Sequence, residues 1–162
     1  MKNSIKIIVA LFAVSTILSC SKDNVNPVAN NITLHFDNTF KGKAIVLGDA
    51  NSTTASKNTS ASGQLHHFSE IKYVISNIRL VKAEGTEIPY NINDLDKGAT
   101  VIDQAKPQSL DYVLTNIPTG EYKQIKFGLG VKKELNTLDE TKFPNFYKSA
   151  GANDTKMMWE WG

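Results

Sequence analysis

The chain has 162 residues, with 18 Lys and Arg against 16 Asp and Glu. Two of those lysines, Lys2 and Lys6, and no acid precede Cys20, which leaves 16 basic and 16 acidic groups and no formal net charge in residues 20–162. That balance excludes nucleic-acid binding through a Lys/Arg excess, and 143 residues make one domain with a real core.

Residues 1–19 read as a signal peptide. Lys2 and Lys6 form a positive n-region, and Ile7 to Leu18 is a nearly unbroken apolar run of twelve residues. A helix needs ~20 residues to span a bilayer core, so this run suits an h-region instead. It ends in Ile17-Leu18-Ser19-Cys20, and Cys20 is the sole cysteine of the sequence. A lone cysteine forms no internal disulfide. An apolar residue at −3, a small one at −1 and then cysteine is the pattern of a bacterial lipobox. Cys20 is therefore expected to carry acyl chains, each buried CH₂ contributing roughly 0.8 kcal/mol to membrane affinity. Residues 20–31, polar and without apolar period, read as a lipidated tether. Lys22-Asp23 resembles signals that send lipoproteins to the outer membrane or cell surface.

From residue 32 the pattern is β. Ile32, Leu34 and Phe36 alternate with Thr33, His35 and Asp37, as in a half-buried strand. A short piece at Lys43–Leu47 precedes Asp49–Gly63, a polar, small-residue stretch expected to be a surface loop that buries nothing. In Ile71–Val81, Ile71, Tyr73 and Ile75 share one parity and Ile78 and Leu80 the other, which predicts a β-bulge or bend at Ser76-Asn77. Further short strands are predicted at Ile88–Ile92, Ala99–Asp103 and Ser109–Leu114. After the turn signal Ile117-Pro118-Thr119-Gly120, Ile125, Phe127, Leu129 and Val131 alternate again. Pro144–Tyr147 suits a helical turn, and Met157–Trp161 reads as a strand. Both tryptophans fall in the last four residues, where chains usually fray. The expected fold is therefore all-β: an antiparallel β-sandwich, immunoglobulin-like or Greek-key, incomplete at its C-terminus.

The common catalytic constellations are missing. The sequence has no GxSxG, CxxC or HExxH. Phe127–Val131 contains GxG without the third glycine or a following helix, so it is no dinucleotide loop. Asp94 and Asp96 are spaced like calcium-loop carboxylates but lack the remaining ligands, and read as a solvated turn. Adjacent His66 and His67 point to opposite faces of an unbroken strand, and His35 lies on the outward parity of its strand. Met157-Met158 near the tryptophans keeps a soft-metal site open, since thioether and imidazole both suit copper, although adjacent methionines also serve as ordinary packing.

Several segments, in order, resemble one family. ITLHFDN, FSEIKYVISNIRLVKAEG, the VID at Val101–Asp103, IPTGEYKQIKFGLGVKKELN at Ile117–Asn136 and the terminal MMWEWG are similar to the methanobactin-associated copper-binding (MbnP-like) domain of secreted and lipid-anchored bacterial proteins. The resemblance spans most of residues 32–162. It implies a β-rich, non-enzymatic domain that binds copper outside the cytoplasm. It also implies that a di-haem peroxidase-like partner oxidises a tryptophan to kynurenine, which then joins histidines at the metal. On this chain it offers Trp159 and Trp161 as metal-site residues. The sequence departs from the family in stopping at this motif, without the glycine-aromatic strand and histidine that follow it there. Two other functions stay open: a metal-free adhesion, glycan- or peptide-binding module on the same anchor, and an extracellular hydrolase for which no nucleophile or acid/base pair can be nominated.

Overall fold

The computed structural model describes residues 30–136, 139–151 and 157. Ten strands run in order: β1 (Asn30–His35), β2 (Thr39–Phe40), β3 (Lys43–Ala44), β4 (Asn58–Thr59), β5 (Leu65–His66), β6 (Lys72–Lys82), β7 (Glu87–Pro89), β8 (Thr100–Asp103), β9 (Asp111–Ile117) and β10 (Tyr122–Leu129). Every pairing among the described residues is antiparallel. β1 pairs with β9 in one sheet. In the other, β6 pairs with β10 along one edge and with β7 and β8 along the opposite edge. β2–β3 and β4–β5 are two small hairpins.

The two sheets face each other across an apolar core, as expected of a sandwich. Ile75, Ile78, Leu80, Ile102, Leu114 and Ile117 are its buried centre, and Ile32, Leu34, Tyr122 and Ile125 close it from the sides. The predicted bulge in β6 is present. Lys126 pairs with Arg79 and Gly128 with Ser76, so three steps along β6 oppose two along β10. Asn77 takes up the extra residue at φ 51°, a left-handed conformation that asparagine tolerates better than most residues. The inward parity switches there, which is why Ile75 and Ile78 both reach the same core.

Three expectations need correction. First, β1 begins at Asn30, so two residues assigned to the tether lie in the strand, Asn30 paired with Ile117. Second, residues 49–63 do bury side chains: Ala55 and Asn58 are both inside, and Asn58–Thr59 forms β4. Polar, small residues achieve this through local bonds rather than apolar area. The Ser52 hydroxyl accepts from the amides of Thr54 and Ala55, and the Asn58 amide donates to Ser56 O. Close packing there also needs Gly48, because a Cβ would lie 2.6 Å from that of Ala55. Third, the strand predicted at 88–92 stops at Pro89. Asn91 turns the chain at φ 45°, and a short helix, α1 (Leu95–Gly98), follows with the Asp94 carboxylate accepting from the Asp96 amide at 3.0 Å. An aspartate at this position satisfies a helix-end amide, which outweighs the period-two pattern.

The remaining strands lie close to where the pattern puts them. β9 starts later than predicted because Pro107–Leu110 makes a 3₁₀ turn, and it runs on to Ile117. Pro144–Phe146 is the expected helical turn, α2. Met157 lies in no strand, and the rest of the predicted strand at 157–161 falls outside the described residues.

Candidate functional site

β6 has a second face, and the last part of the chain covers it. Val74, of opposite parity to Tyr73 and Ile75, points away from the sandwich core, into a separate cluster with Leu95, Ala99, Leu135, Phe143 and Ala150. Val101, Val131, Phe146 and Met157 pack around it. Residues 139–151 are thus an arm laid across the sheet from outside. Its main polar fastening is Asp96: the carboxylate accepts from the Phe146 amide at 2.8 Å and from the Asn145 side chain at 3.3 Å. The residue expected in a solvated turn holds the arm to α1.

Beside this cluster is a cleft of about 430 Å³ whose walls include Tyr73, Val74, Val131, Asn136, Phe146 and Met157. The structure brings Met157, the first residue of the MMWEWG motif, to that wall. Most other polar groups there are committed. The Tyr73 hydroxyl donates to Asn38 Oδ1 at 3.0 Å, and burial raises its pKa, so it stays a protonated phenol. The Ser76 hydroxyl donates to Gly130 O at 2.5 Å. Around Tyr73 the cleft meets an apolar surface of Phe36, Ile75, Phe127 and Leu129. There Phe36 stands edge-on to Tyr73 and Phe127, with ring centroids 6.4 and 5.8 Å apart, an arrangement that aromatic quadrupoles favour.

The histidines lie elsewhere. His35, exposed on β1, places Nδ1 2.6 Å from Asp111 and Nε2 3.3 Å from Asp37. Hydrogen bonds to Asp111 and then to Asp37 raise its pKa. With both ring nitrogens on carboxylates, its protonated form completes an ion triad with Asp37 and Asp111. His66 sits opposite Asn58 in the β4–β5 hairpin. The neighbouring His67 keeps a buried Nδ1 without a partner among the described residues. No group of three or more His, Cys, Asp or Glu among the described residues is placed to hold a metal. Met157 and Asn136 alone do not make a copper centre, which ordinarily draws on imidazole or thiolate as well. Cys20, Trp159 and Trp161 lie outside the described residues.

A cavity of about 680 Å³ opens between the end of β7, α1 and the edge of β9 away from β1. Tyr90 and Tyr112 stand in its wall. The Tyr90 hydroxyl accepts from the Thr115 amide at 3.1 Å, and the Tyr112 hydroxyl donates to Lys97 O at 2.7 Å. Burial, with smaller contributions from Tyr90 and Asp94, pushes Tyr112 up to about 12. Nothing in the sequence announced this cavity, because its wall joins residues 80–97 to residues 112–118.

Two antiparallel sheets closed on one core, with residues 139–151 over the outer face of the longest strand, define an all-β sandwich. The chain belongs to the MbnP family, whose model matches residues 29–162 and so includes every segment on which the resemblance was based. That family is not known as a catalytic one. Among solved structures, MbnP from Methylosinus trichosporium is similar at 16% identity and a TM-score of 0.43, over 63% of this chain and 39% of that one. The chain thus spans well under half of that protein's length. No curated protein matches the chain. Among the described residues no helix is long and apolar enough to cross a membrane.

Proposed function

We propose that this protein is a lipid-anchored, extracytoplasmic copper-binding protein that captures or hands over the metal and catalyses no reaction. The observation that carries the reading is the family match through Gly162, together with the docking of Met157 against the outer face of β6. Trp159 follows Met157 by two residues, no more than about 7 Å of extended chain. The described residues alone lack a copper ligand set. The site therefore depends on Trp159 or Trp161, one of them oxidised to kynurenine by a di-haem peroxidase-like partner. Opening the indole ring exposes an aromatic amine and a carbonyl, turning a donor-only side chain into a ligand. Acylated Cys20 holds the domain on the membrane, in the outer membrane by the Lys22-Asp23 signal, facing the periplasm or the cell surface.

Copper titration of lipid-free protein taken from its native host, with mass spectrometry of the peptide carrying Trp159 and Trp161, tests this. Tight copper binding and a mass gain at one tryptophan are expected. No tight binding and an unmodified peptide would sink the copper reading. A metal-free ligand-binding module is the second reading, favoured by the cavity of about 680 Å³ beside Tyr90 and Tyr112.

A further inference from the structure

A different cleft, of about 300 Å³, lies where β6, β8 and the C-terminal arm meet. Three lysines from distant parts of the chain line it: Lys72 from β6, Lys106 from the turn after β8, and Lys148 from the arm. The carboxylate of Asp103 lies at its base, with a side chain only 4% exposed. Asp103 is fully engaged. Its Oδ1 accepts from the Ala105 amide at 3.0 Å, and its Oδ2 has Lys72 Nζ at 3.8 Å and Lys106 Nζ at 3.4 Å. Lys72 also pairs with Glu70. Asp103 and Glu70 together balance Lys72 and Lys106, and Lys148, which has no carboxylate partner among the described residues, leaves the cleft with one excess positive charge.

The segment that presents Lys148 is unusual. Residues Tyr147–Gly151 form a single π-helical turn, a wide geometry that recurs at functional sites. Gly151 makes it possible, because a Cβ there would come within 2.6 Å of the Tyr147 ring. The turn sets Lys148 and Ser149 in the wall that also holds Lys72 and Lys106, with the Ser149 hydroxyl donating back to Phe146 O at 3.0 Å. Ammonium groups are compact point charges that approach from separate directions, suited to a tetrahedral oxyanion rather than to a planar carboxylate gripped from one side.

We propose that the cleft between Lys72, Lys106 and Lys148 binds a phosphate group, either free in solution or on a phospholipid headgroup. This inference does not depend on the copper reading.

The test uses the full chain and two double variants of equal charge change. Lys106→Gln/Lys148→Gln removes the cleft charge, and Lys43→Gln/Lys57→Gln removes two exposed lysines elsewhere. Calorimetry with inorganic phosphate reads the soluble source. Partition onto phosphatidylcholine vesicles, with and without phosphatidic acid, reads the lipid source. Any membrane affinity of the N-terminal segment is common to all three proteins and cancels in the difference. Loss of roughly tenfold or more in phosphate affinity, or in the phosphatidic-acid-dependent partition, is expected for the cleft variant alone. The arm that responds identifies the source. Equal responses of both double variants, or no response in either arm, would overturn the proposal. Lys148→Gln alone breaks no described ion pair, and it serves as the readout should the double variant unfold.

Discussion

The two faces of β6 are built differently. The inner face meets a second sheet, and six of its core side chains, from β6, β8 and β9, are almost wholly removed from water. The outer face meets an arm of short turns, and its cluster is smaller and held partly by one carboxylate, Asp96. Burial of apolar area contributes about 25 cal/mol per Å² wherever it occurs. The inner face, however, also gains from two sheets whose backbone bonds are satisfied within the ladders. The arm has no ladder, so the amides of Thr141, Lys142 and Phe146 depend on side-chain acceptors, while those of Phe143 and Tyr147 donate within its own turns. The difference teaches that one strand can anchor a two-sheet core on one side and carry a smaller cluster, fastened by a single carboxylate, on the other.

The largest expected effect lies on the inner face. Ile78→Ala should cost about 2 to 5 kcal/mol by chemical denaturation, since Ile78 is fully buried and the two sheets cannot collapse onto the void. Phe143→Ala, on the outer face, should cost less than the roughly 3 to 5 kcal/mol typical of a core phenylalanine, because the arm can readjust. Its signature should be faster proteolysis within residues 139–151 at nearly unchanged global stability. Should Phe143→Ala unfold the protein as readily as Ile78→Ala, the two faces form a single cooperative core and the contrast fails.

The smallest effect concerns the exposed side of β1. Asp111 and Asp37 raise the His35 pKa above its usual 6.5. A raised folded-state value means that the stabilisation is fully present below about pH 6.5 and is lost as pH rises through the folded pKa. Titration of His35 by NMR should show the raised value. Asp111→Asn should return it further toward 6.5 than Asp37→Asn, because the Asp111 bond is the larger cause. The reverse order would show that the triad is arranged differently.

Legibility in the sequence differed between the same two regions. The strand pattern of residues 71–81 announced both the inner core and the bulge, because the bulge is a local change of parity. Residues 139–151 announced only a helical turn at Pro144, since Asp96 and Phe146 meet across 50 positions. The Asp94-Leu95-Asp96 spacing was visible but suggested a solvated turn, whereas one carboxylate caps α1 and the other fastens the arm. The small residues of 49–63 carried no apolar signal, so their buried positions were invisible to periodicity. The lysine cleft was equally hidden, its three cations standing 34 and 42 residues apart. Trp159 and Trp161, the residues offered for the metal, rest on the family's motif alone.

The sequence by itself determined the β class, the parity switch in the longest strand and the family, because each rests on short local patterns that stand in order along the chain. Only the tertiary structure decided that β6 has a second covered face, that Asp96 binds the arm, and that Lys72, Lys106 and Lys148 share one cleft. Those arrangements depend on which distant segments the packing of two sheets brings side by side, and periodicity carries no record of that.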